Sequence, residues 1–83
     1  MKLNSKQYQE LEGLYFWCKI APKVRAEQGE LGEKEITEQF KLYATELDKL
    51  GVSWKLQNQV AYAATIPANK DRYFRNVLKE ILN

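Results

Sequence analysis

The chain of 83 residues contains no histidine and a single cysteine, Cys18. Each scarcity removes a class of chemistry. Imidazole is the side chain best suited to proton exchange near neutral pH, so no Ser-His-Asp or Cys-His pairing can be assembled. One thiol without imidazole cannot build the usual zinc sites. It also rules out an intrachain disulfide, which fits a reducing compartment. The glycines (Gly13, Gly29, Gly32 and Gly51) are scattered and form no phosphate-cradling loop. No apolar run exceeds the length of Leu14 to Cys18, which is far short of the roughly 20 residues that cross a bilayer, and too short for a signal-peptide core. Carboxylates remain as conceivable acids and bases, but they fall on stretches that read as solvated helix faces. The expectation is a non-enzymatic cytoplasmic protein with no cofactor, no metal and no membrane contact.

What is present describes one small folded domain. Hydrophobic residues make up 45% of the chain and charged residues 29%, too apolar for a disordered segment. A domain of this size has a large surface relative to its interior, so its stability is narrow. The net charge is +2, which neither favours nor excludes nucleic acid. The charge is unevenly spread, however. Lys2, Lys6, Lys19, Lys23 and Arg25 dominate the beginning, and Lys55, Lys70, Arg72, Arg75 and Lys79 the end. Between them lie Glu27, Glu30, Glu33, Glu35 and Glu38, with Lys34 inside.

Apolar spacing outlines the elements. Asn4 or Ser5 can cap a first helix, on which Tyr8, Leu11, Tyr15 and Cys18 form one face, widened by Leu14 and Trp17 and extended by Phe16 and Ile20. Pro22 predicts an end or kink there, or the start of a short helix from Pro22 to Gln28, with Gly29 and Gly32 bracketing a turn. The clearest helix runs from Glu33 to Leu50, with Ile36, Phe40, Tyr43, Leu47 and Leu50 as its stripe and Gly51 after it. Residues 52–66 admit two readings. As a helix, Ser53 caps it and Leu56, Val60, Ala63 and Ala64 face inward; as a β-hairpin, Val52, Trp54 and Leu56 alternate, as do Val60, Tyr62, Ala64 and Ile66. The alanines favour helix. Pro67 stops the segment, and Asn69 is expected to cap a last helix with Asp71 in its first turn and Phe74, Val77, Leu78 and Ile81 buried.

Two groups of residues are candidates for binding. On the expected last helix, Arg72, Arg75 and Lys79 stand at i, i+3 and i+7, with Lys70 ahead and Tyr73 beside them. They read as a docking stripe for nucleic acid or an acidic protein surface, or simply as a solvated face. The run Leu14 to Cys18 points almost all the way round its helix. Tyr15, Phe16 and Trp17, rimmed by Lys19 and Lys23, could form a hot spot for a larger protein or a second copy, or pack into the core. Trp54, Gln57, Asn58 and Gln59 place amides beside an indole, either to read base edges or as ordinary surface. The acidic stretch is a solvated face or an imitation of a phosphate backbone.

The closing stretch Asn69 to Leu82 resembles terminal helices of phage and plasmid replication accessory proteins, and that resemblance implies a replication-type host machine. Taken together, the chain is expected to be all-α, a compact bundle of three to four short helices. Its expected function is an accessory module docked on a larger protein, with the basic C-terminal helix contacting nucleic acid or an acidic surface. The alternative is a small inhibitor or immunity-type protein that blocks a target by occupying its surface.

Overall fold

A computed structural model describes residues 2–83. Asn4 opens α1 (Ser5–Lys49) with a reciprocal cap. Its side-chain oxygen accepts from the Gln7 amide at 2.8 Å, and Gln7 Oε1 accepts from the Asn4 amide at 2.9 Å. Two of the amides that a helix start leaves bare are thereby satisfied. A straight helix of these 45 residues would measure roughly 68 Å at 1.5 Å per residue, yet the molecule is 38 Å long. The helix therefore doubles back, and it does so at Gly29, where φ is 57° and ψ is −129°. A side chain is strained in that conformation and glycine is not.

The two arms, residues 5–28 and 30–49, run antiparallel. Gly13 faces the Tyr43 ring, Gly32 faces the Val24 carbonyl, and Arg25 pairs with Glu33 at 2.6 Å. At Gly32 an added Cβ would sit 2.6 Å from the Val24 oxygen, so the arms close tightly beside the turn. Gln7 Nε2 donates to the Leu50 carbonyl at 2.8 Å and ties the two ends together.

The break expected at Pro22 does not occur: α1 continues through it to the Gly29 reversal, and Gly32 belongs to the second arm. Pro22 forfeits one amide hydrogen bond. The packing of Ala21, 3% exposed, and of Ile36, 1% exposed, on the inner faces of the arms outweighs that local preference. Gly51 follows the second arm at φ 76°, as the sequence predicts.

Residues 52–66 resolve as helix. Ser53 Oγ accepts from the Leu56 amide at 3.1 Å and caps α2 (Trp54–Ala63), which buries Leu56, Val60 and Ala63. No strand exists among the described residues. A 3-10 turn, Pro67–Asn69, leads to α3 (Phe74–Leu82). The last helix thus starts later than expected. Asn69 cannot cap it, because its Nδ2 donates back to the Ala63 carbonyl at 2.8 Å and its Oδ1 accepts from Arg72 at 3.1 Å. Tyr73 takes the cap position without a side-chain bond.

The arms, α2 and α3 form an all-helical bundle. Its core joins Leu11, Leu14, Tyr15 and Cys18 to Leu47, Val60, Phe74 and Val77. No residue between positions 19 and 39 belongs to that core. The outer half of the hairpin is therefore a two-helix finger, with Ala21, Gly32 and Ile36 its only buried residues.

Replacing Gly29 by Ala should lower stability by about 1–2 kcal/mol, the cost of forcing a side chain into that conformation. Urea unfolding monitored by circular dichroism measures it. In hydrogen exchange, amides at positions 20–39 should lose protection well before those of α2 and the core half of α1.

Candidate protein-docking surface

The structure separates neighbours that the sequence had grouped. Tyr15 is fully buried and is no partner contact: its ring packs 5.0 Å from that of Phe74, and its hydroxyl donates to the Asn69 carbonyl at 3.4 Å. Phe16, the next residue on the helix, points outward at 50% exposure, and Ile20 one turn on is 44% exposed. Lys23 continues that exposed side. Lys19 does not rim the patch as a free cation. Its Nζ donates to the carbonyls of Asn69 at 2.9 Å and Lys70 at 3.1 Å and lies 4.6 Å from the centre of the Tyr15 ring. The ammonium pins the α2–α3 connection onto the first arm.

Trp17 is half-buried. Its indole Nε1 is buried and finds no acceptor among the described residues. A donor left so costs about 1–3 kcal/mol.

The basic stripe is also rearranged. Arg72 precedes α3 and does not share its face with Arg75 and Lys79. Its guanidinium grips Glu80 with two bonds, at 2.9 and 2.7 Å. That contact, first through the hydrogen bonds and then through charge, holds the Glu80 carboxyl below its ordinary range and raises Arg72. The arginine fork is occupied, and its charge is offset. Lys70, Arg75 and Lys79 remain exposed, as does Tyr73 at 73%. Burial and then the Glu12 charge raise the Tyr8 hydroxyl, while Arg75 opposes them. Arg75 follows Phe74, whose ring packs 5.4 Å from that of Tyr8 on the first arm.

Two sets of residues, about fifty positions apart in the chain, thus meet on one side of the molecule. Lys19 lies 6.0 Å from the centre of the Phe16 ring and reaches the Lys70 backbone, so the outward side of the first arm adjoins the turn that carries Lys70 and Tyr73. The face combines exposed apolar groups with the cations Lys23, Lys70 and Arg75, none of which meets a carboxylate in an ion pair among the described residues.

On another side, between α1 and α2, lies an apolar cleft of about 150 Å³ that helical spacing does not announce. Leu14, Cys18, Phe40, Ala44 and Ala61 line it, with Trp54, 63% exposed, at its edge. Burial pushes the Cys18 thiol up to about 11, only partly opposed by Arg25, so the sulfur is a neutral part of the wall. Of the amide cluster noted in the sequence, Gln57 is buried and Asn58 exposed, and both line this cleft.

Comparison with protein-family models, curated proteins and solved structures finds no match for the chain. The likeness of residues 69–82 to replication accessory helices rests on that stretch alone, and the stretch is a turn, a connection and α3 rather than one helix. No described helix is long and apolar enough to cross a membrane.

Trp17→Phe removes the unsatisfied N–H and keeps most of the packing. Its stability should equal or exceed that of the parent by up to about 1 kcal/mol, whereas Trp17→Ala should lose about 2–3 kcal/mol. Thermal and urea unfolding of the two variants check both signs.

Proposed function

We propose that this protein is a non-catalytic binding module that docks on an acidic surface of a larger protein. The contact face is Phe16, Ile20, Lys23, Lys70, Tyr73 and Arg75. The observation that carries this reading is the Lys19 bridge, which brings exposed apolar groups of the first arm beside the basic connection before α3. Aromatic anchors desolvate well at the centre of an interface, and cations around them give orientation and speed of encounter. Nucleic acid is the weaker partner for this face. Glu80 holds Arg72, the arginine that was to lead the stripe, with two bonds, which leaves three cations on the face.

The test is capture of a partner from the native host by the parent protein and by a Phe16→Ser/Lys70→Glu/Arg75→Glu variant. The parent should retain one larger protein; the variant should lose it at least ten-fold while its circular dichroism and melting remain unchanged. Equal capture by both would remove this face as the docking site. Binding to DNA or RNA with a log–log salt slope of about −2 to −3, the value for three phosphate contacts, would instead assign the cations to nucleic acid. Assaying the captured partner with and without the module separates a helper from a blocker.

A further inference from the structure

We infer that the outward side of the first arm is the interface of a symmetric dimer, covered by the same side of a second copy running antiparallel. Phe16, Ile20, Lys23 and Glu27 stand at i, i+4, i+7 and i+11, within about 60° of one another round the helix, and all are exposed. Helical geometry holds up to the Gly29 reversal, so the stripe is continuous over about 16 Å. Its two ends differ in charge. At the Phe16 end, the Lys19 bridge brings up the connection that carries the exposed Lys70 and Tyr73. At the other end stands Glu27, which meets no cation in an ion pair among the described residues. The exposed parts of Phe16 and Ile20 lie between.

A basic end, an apolar middle and an acidic end make a surface complementary to itself under a two-fold rotation, which is what an isologous contact requires. With the axis between Ile20 and Lys23, Glu27 of each copy falls beside Phe16 and Lys70 of the other. Ile20 of each then meets the alkyl stem of the other's Lys23, whose ammonium stays in water. A parallel pairing would set Glu27 against Glu27 and Lys70 against Lys70, and like charges placed so repel. The charge order along the stripe therefore selects the antiparallel arrangement. The patch is small beside the roughly 20–30 residues a side of a standard interface, so the dimer is weak, with a dissociation constant of about 10–100 μM. A second copy and a larger acidic partner would exclude each other on this face, a consequence that, unlike the dimer itself, rests on the docking reading.

The experiment is analytical ultracentrifugation of the full chain over roughly 5–500 μM, at about 50 and 500 mM salt. The parent should pass from monomer to dimer across that range and associate more weakly at the higher salt. Glu27→Lys and Lys70→Glu should each weaken the dimer about ten-fold, because a two-fold contact doubles every pair and each substitution turns two attractions into repulsions. Both positions are exposed, and circular dichroism should show each variant folded as the parent is. An equimolar mixture of the two variants should regain the dimer, since both contacts of the mixed pair again join opposite charges. Phe16→Ser should weaken association by a similar factor. A parent that stays monomeric at the highest concentration, a mixture no more dimeric than its components, or growth beyond a dimer would overturn the inference. Partner capture by Glu27→Lys decides the docking reading separately, since Glu27 is not among its contact residues. A monomeric parent that captures a larger protein removes the dimer alone; a dimer that captures none removes the docking reading alone.

Discussion

The backbone oxygen of Asn69 joins the two halves of the molecule. It accepts from the Lys19 ammonium, the Tyr15 hydroxyl and the Arg72 amide, while the Asn69 side chain reaches back to the end of α2. The 3-10 turn that redirects the chain from α2 into α3 is thereby fixed to the first arm. Phe74 can then lie over Tyr15 and Tyr8, with ring centres 5.0 and 5.4 Å away. In a domain without a disulfide, this buried polar knot sets the position of α3. Both the proposed docking face and the closure of the core depend on it.

How much of this was legible in the residues follows from the range of each interaction. The stripes Tyr8–Leu11–Tyr15–Cys18 and Ile36–Phe40–Tyr43–Leu47 were readable, because helical spacing alone puts them on one side and burial then follows. Ser53 before α2 was readable for the same local reason. Pro22 misled, since its rule concerns one residue and its neighbour, whereas the helix there is held by Ala21 and Ile36 packed across the hairpin. Asn69 misled in the opposite direction. It has the chemistry of a cap, but its amide found Ala63 six residues back, and no spacing rule anticipates that choice.

The candidate binding residues show the same division. Tyr15 and Phe16 are adjacent and both aromatic, and only the arrival of Phe74 decides which is core. Arg72 looked like a member of a helical stripe until α3 began two residues later and Glu80 came within reach. The cleft could not be read in advance, since it needs both arms of α1 and α2 to converge. Its sole trace in the chain is the pair of small residues, Ala44 and Ala61, set among larger apolar neighbours.

The finger has an evolutionary corollary. Because the core takes nothing from positions 20 to 39, matched insertions or deletions in the two arms beyond Lys19 would shift the Gly29 tip by about 1.5 Å for each residue added per arm. The bundle beneath would keep every contact. The reach of this spur is therefore an adjustable dimension, and lineages could lengthen or trim it without re-solving the packing problem at its foot.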